Sequence, residues 1–143
     1  MPVTQITAID AFDLLKNDAN SVLVDVRTYE EFNFVGLVDS SSFNDRMSLL
    51  PWQILPRMEE NPEFAASLEK SLKKIFDEEF RDVKIIFICR TGGRSNQAAN
   101  YANNLGYKSC YNLVSGFEGE LDQQEQRGKI NGWKANKLPW RQK

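Results

Sequence analysis

The chain has 143 residues, 41% of them hydrophobic and 27% charged, with 18 basic against 20 acidic residues. That is globular composition at the length of one domain, able to bury roughly two thirds of its unfolded surface without a metal or disulfide staple. The net charge of −2 offers no basic excess for nucleic acid, no apolar run approaches the roughly 20 residues that span a bilayer, and zero histidines exclude Ser-His, Cys-His and Cys₂His₂ zinc chemistry.

In chain order, Ile9, Phe12 and Leu15 recur at helical spacing and predict a first helix. Val22-Leu23-Val24-Asp25-Val26 is apolar on both faces, the pattern of a buried parallel strand. Thr28 and Glu31, three residues apart, read as a capping box for a short helix with Phe32 and Val35 as its stripe. Residues 36–60 are irregular. Within the 43–60 connection, Leu49, Leu50, Trp52, Ile54, Leu55 and Met58 are read as covering one edge of the sheet, the alternative being an exposed patch for docking or self-association. Asn61-Pro62-Glu63 starts a helix that carries Ala65, Leu68, Leu72, Ile75 and Phe76 on one face. Val83 to Cys89 is a second buried strand, and Ala98, Tyr101, Ala102 and Leu105 make another amphipathic helix, stopped by Gly106. Ser109 to Val114 is a third strand. The alternation predicts one three-layer α/β domain over residues 1–143, with a mainly parallel sheet and helices on both faces.

Two cysteines, Cys89 and Cys110, are too few for a disulfide scaffold or a four-thiolate metal site. Met1 to Gln5 show neither a basic leader nor an apolar core segment, so the expectation is a soluble cytoplasmic protein with free thiols. Cys110 is read as a small buried residue, with a thiol that resolves a Cys89 intermediate as the alternative.

Chemistry concentrates in Cys89-Arg90-Thr91-Gly92-Gly93-Arg94-Ser95, a turn between a strand end and a helix start, where α/β sheets bind their ligands. The glycines let backbone N–H groups curl towards one point, and the helix start adds its positive end there. Such a ring binds an anion, and the nearest one is the thiolate of Cys89 itself. A lone cysteine is usually packing; one followed by two arginines and two glycines reads as a nucleophile.

This segment resembles the active-site loop of the rhodanese family of sulfurtransferases. Val24-Asp25-Val26-Arg27 followed by Glu30-Glu31-Phe32, Leu113 with Gly116-Phe117, and Gly132-Trp133-Lys134 with Leu138-Pro139 are similar to further family motifs, so that the likeness spans residues 5–140. The resemblance implies a five-stranded sheet and a sulfurtransferase mechanism. Cys89 would take a sulfane sulfur as a persulfide, residues 90–95 would hold it through backbone N–H groups, and Arg90 and Arg94 would attract anionic donors. Asp25 and Arg27 would act as a structural ion pair. It implies no cofactor and no metal, and as partners small sulfur-containing anions or thiols or a protein sulfur donor or acceptor, not nucleic acid or membrane.

Two alternatives stand beside it. A cysteine phosphatase or arsenate reductase on the same fold needs five residues between cysteine and arginine to surround a tetrahedral oxyanion; here four residues, 90–93, intervene. A non-enzymatic sulfur carrier or interaction module would keep the loop and take sulfur only from a partner. The chain departs from the family at Gly36-Leu37, where a histidine often follows the glycine. A second departure lies at 118–132, an insertion read as a solvated loop, with a role at the active-site mouth as the alternative.

Overall fold

The computed structural model describes residues 2–142, so the first and last residues of the expected 1–143 domain lie outside the described residues. The described residues form nine strands and five α-helices. β1 (Thr4–Ile6), α1 (Ala8–Asn17), β2 (Ser21–Asp25) and α2 (Tyr29–Val35) are followed by β3 (Leu37–Val38), β4 (Met47–Leu49), β5 (Gln53–Ile54) and β6 (Glu59–Glu60). Then come α3 (Phe64–Phe76), β7 (Lys84–Ile88), α4 (Gly93–Asn104), β8 (Ser109–Leu113), α5 (Gly132–Ala135) and β9 (Trp140–Arg141).

The main sheet has five strands in the order β1-β8-β7-β2-β4, all parallel. β7 lies at its centre, in register with β2 through Ile88 opposite Asp25 and with β8 through Phe87 opposite Asn112. β3 pairs with β9, and β5 with β6, as small antiparallel ribbons. Because side chains alternate along a strand, the two central strands feed two cores. Val22, Val24, Ile85 and Phe87 pack under Phe64, Leu68 and Leu72 of α3 and Ala98, Ala99 and Ala102 of α4. Leu23, Ile86 and Ile88 face the other way, towards Ala8, Ala11 and Leu15 of α1 and Trp133 of α5. These are the three layers the sequence predicts.

Several local expectations shift. The buried stripe of α1 is Ala8, Ala11 and Leu15, while Ile9 points to solvent. The α3 helix begins at Phe64. Asn61 instead caps the preceding turn, its Oδ1 accepting the Glu63 N–H at 3.0 Å. Tyr101 of α4 and Leu105, which caps its carboxyl end, are exposed, and alanines make its contact face. The 36–60 segment is not wholly irregular, since β4 adds the edge strand beside β2. Its apolar residues divide: Leu50 and Trp52 enter the core, Trp52 edge-on to Phe64 at 5.0 Å, whereas Ile54 and Leu55 stay exposed. The 118–132 segment folds back on itself, with Gly128 donating to the Glu118 carbonyl and Arg127 to that of Gly119. Among the described residues no helix is long and apolar enough to cross a membrane.

Candidate active site

The site lies beyond the carboxyl end of β7. Cys89 follows directly on that strand and is 1% exposed. Its Sγ accepts the Gly92 N–H at 3.1 Å and contacts the Ser95 hydroxyl at 3.2 Å. Gly92 makes the first contact through its backbone, which sits at φ +108 as the residue preceding α4. Only glycine adopts that conformation without strain. Gly93, Arg94 and Ser95 open the helix, so their N–H groups have no carbonyl partner within it and the positive helix end meets the sulfur. Arg90, Thr91 and Gly93 are exposed, while Ser95 is fully buried.

The two loop arginines differ. Arg90 extends to solvent. Arg94 is held in a two-pronged ion pair with Glu31, at 2.6 and 2.9 Å, a partner that neither the helix cap nor the family motif read around Glu31 points to. The cap exists as well: Thr28 Oγ1 accepts the Glu31 N–H, and Glu31 Oε1 accepts the Thr28 N–H. Burial acts to raise the Glu31 carboxyl, but Arg94 and Thr28 outweigh it and hold the group below its ordinary range. Arg94 is correspondingly raised, burial being overcome by Glu31 and by the nearby Cys89 and Asp25.

Asp25 ends β2 beside the loop, and the structure places Arg27 against it. Arg27 Nη2 donates to Asp25 Oδ2 at 2.7 Å and Nε to Oδ1 at 3.0 Å, both side chains being fully buried. Burial pushes the Asp25 carboxyl up, against the pull of Arg27. Arg27 Nη2 also donates to the Gly36 carbonyl at the end of α2, and its guanidinium stacks on Phe117 at 4.4 Å. Arg27 Nη1 is buried without a hydrogen-bond partner. Phe117 in turn donates its N–H to the Cys89 carbonyl at 2.8 Å, and Glu118 donates to that of Arg90 at 3.0 Å. The Asp25-Arg27 pair therefore supports the loop from beneath, through Phe117.

Cys110 is elsewhere. It pairs with Ile85, four residues before Cys89, or about 13 Å along the strand at roughly 3.3 Å per residue. Its Sγ lies 3.5 Å from the Tyr107 carbonyl, and burial pushes its thiol up to about 12. Such a separation exceeds what a disulfide spans, so the two cysteines are not partners in this fold.

Sequence reading does not single out Asn112. This residue of β8 is 4% exposed, and its Oδ1 accepts from Ser95 Oγ at 2.5 Å, one step from the sulfur. An amide between Tyr111 and Leu113, within the third predicted strand, was the available signal.

Comparison with known proteins places the chain among relatives of similar sequence and fold. The chain is 39% identical over 140 residues to an uncharacterized protein of Rickettsia rickettsii, the RP600 homolog, covering 98% of each. It superposes on the crystal structure of Rv0390 from M. tuberculosis with a TM-score of 0.84 at 36% identity, over 100% of both chains. The polysulfide-sulfur transferase homodimer of Wolinella succinogenes shares the fold at a TM-score of 0.65 and 19% identity, covering 99% of this chain and 80% of that one. A family model described as Rhodanese-like domain matches residues 8–121, which include the whole Cys89 loop and both residues of the Asp25-Arg27 pair, and the chain belongs to that family.

Proposed function

We propose that the chain is a sulfurtransferase that carries a sulfane sulfur on Cys89. The observation that supports it best is the seating of the Cys89 sulfur at the start of α4, with the Gly92 N–H and the Ser95 hydroxyl at hydrogen-bond distance. The helix-start N–H groups of residues 93–95 would hold one further atom, the outer sulfur of a persulfide. With thiosulfate as donor, the Cys89 thiolate attacks the outer sulfur and forms a new S–S bond. The S–S bond of thiosulfate breaks and its electron pair leaves with sulfite. A thiolate or cyanide acceptor then attacks the outer sulfur and restores the Cys89 thiolate. Neither half-reaction requires a general acid, which suits a chain without histidine. Arg90, exposed on the loop, is the cation an anionic donor meets first; Arg94 is already committed to Glu31.

Incubation with thiosulfate followed by intact mass measurement tests the reading. The expected result is a gain of one sulfur atom that Cys89→Ser abolishes and that cyanide removes as thiocyanate. Absence of any sulfur gain, with Cys89-dependent turnover of an aryl phosphate, would replace it with phosphatase chemistry. Loading by a protein persulfide but not by thiosulfate would reassign the chain as a carrier.

A further inference from the structure

The hydroxyl of Ser95 has one hydrogen and two claimants. Cys89 Sγ lies at 3.2 Å and Asn112 Oδ1 at 2.5 Å. The Asn112 amide is held in that orientation from its far side, since Nδ2 donates to Gln5 Oε1 at 2.8 Å. Gln5 is fixed in turn, its Nε2 donating to Asn96 Oδ1 at 2.9 Å on the residue after Ser95. The four side chains close a circuit that joins β1, β8 and the first turn of α4.

We propose that Asn112, anchored by Gln5, is a positioning residue that competes with the Cys89 sulfur for the Ser95 hydrogen and so sets how readily that sulfur ionises. The proposal deepens the sulfurtransferase reading and rests on Cys89 being the reactive sulfur. In the resting thiol, the Cys89 S–H donates to Ser95 Oγ while Ser95 donates to Asn112. When the thiol loses its proton to solvent, the sulfur becomes an acceptor only and draws the Ser95 hydrogen to itself. Asn112 Oδ1 then loses its partner in a site that water barely reaches, and an unpaired buried acceptor is costly. The circuit therefore gives the Ser95 hydrogen a second acceptor while the sulfur is neutral and yields it once negative charge settles on sulfur, as thiolate or as persulfide.

The two simplest variants have opposite expected effects, which a merely structural role does not produce. Asn112→Ala frees the Ser95 hydrogen for the sulfur. Asn112→Asp binds that hydrogen more tightly and adds a negative charge beside it. The experiment is the pH profile of iodoacetamide alkylation at Cys89, read by intact mass in a Cys110→Ala background. Asn112→Ala is expected to move the profile to lower pH and Asn112→Asp to higher pH, each by about one unit. Gln5→Leu, at an exposed position, lets the Asn112 amide turn its Nδ2 to Ser95 and moves the profile down in a protein whose core is untouched. Adding Ser95→Ala is expected to erase the Asn112→Ala shift. Equal-direction shifts from Ala and Asp, an unmoved profile in Gln5→Leu, or an Asn112→Ala shift that survives Ser95→Ala would overturn the proposal. Failure of Cys89 to alkylate at any pH would instead remove the reading it rests on.

Discussion

Glu31 uses one carboxylate for two tasks, and its removal is the most informative single perturbation. Glu31→Gln keeps an acceptor for the Thr28 cap and removes the charge that holds Arg94; Glu31→Ala removes both. The paired side chains are 17% exposed for Arg94 and 21% for Glu31. They lie between exposed pairs, which contribute up to about 1 kcal/mol, and buried pairs, where losing one partner costs about 3–5 kcal/mol. A loss of about 2 kcal/mol is expected for Glu31→Gln, and about 3 kcal/mol for Glu31→Ala once the cap is gone as well. In a domain of this length each kcal/mol moves Tm by about 2–4 °C, so the expected falls are about 6 and 9 °C by calorimetry. The pairing itself is read from a cycle with Arg94→Gln, where the coupling should be about 1–2 kcal/mol. The Glu31 carboxyl is depressed in the fold, so the contribution of the pair is complete above the ordinary carboxyl value of 4.5. It fades as pH falls through the lower folded value, and the gap between parent and Glu31→Gln should close in acid. Coupling below about 0.3 kcal/mol at neutral pH, within the additivity of independent sites, would refute the argument that Arg94 is tied down.

Asp25→Asn leaves the Arg27 charge fully buried without its counter-ion, and a loss of about 3–5 kcal/mol, a Tm fall on the order of 10 °C, is expected. Gly116→Ala brings a Cβ to 2.5 Å from the Cys89 carbonyl oxygen and 2.6 Å from that of Arg90, at φ +60, so the loop must shift; sulfur loading from thiosulfate should be lost by mass measurement. Gly93→Ala meets nothing within 4 Å and should load as the parent does. With the Cys110 thiol pushed up to about 12, its thiolate is negligible through mild alkaline pH, and iodoacetamide at pH 8 should add one group to the native protein, on Cys89, and two after denaturation.

The parts of this fold legible in the sequence are those where local pattern and burial agree. Val22 to Val26 and Ile85 to Cys89 are buried on both sheet faces, so their apolar runs announce central strands. The Thr28-Glu31 box states its own helix start. By contrast, β1 and β4 have three residues each and are partly exposed, and only pairing with β8 and β2 makes them strands. Ile9 outranks Ala8 and Ala11 in hydrophobicity, yet the alanines face inward because small side chains let α1 lie close to the sheet. Tyr101 and Leu105 yield to Ala98, Ala99 and Ala102 in the same way. The Cys89 loop was legible through its composition. The partner of Arg94 was not, because it lies 63 residues away on an element already accounted for by its cap.

Polar groups inside a protein are costly unless paired, so their distribution marks where a fold accepts that cost. Among the described residues the buried polar ones are Ser21, Asp25, Arg27, Thr28, Ser40, Arg46, Ser95 and Asn112. Ser21 and Arg46 fasten the amino end of β2 to α1, Arg46 donating to the carbonyls of Leu15 and Ser21. Asp25, Arg27, Thr28, Ser95 and Asn112 gather at the opposite end of the sheet, around Cys89. There the two strands beside β7 each supply one anchor. Asp25 from β2 holds Arg27, which supports Phe117 and through it the Cys89 carbonyl. Asn112 from β8 holds Ser95, which reaches the sulfur. A structural ion pair alone explains the first anchor. The second has no such need: an apolar side chain at position 112 would pack the strand as well and leave Ser95 free. On the role proposed for Cys89, the amide offers the Ser95 hydrogen a second acceptor, so that the partner of the sulfur can change with its charge.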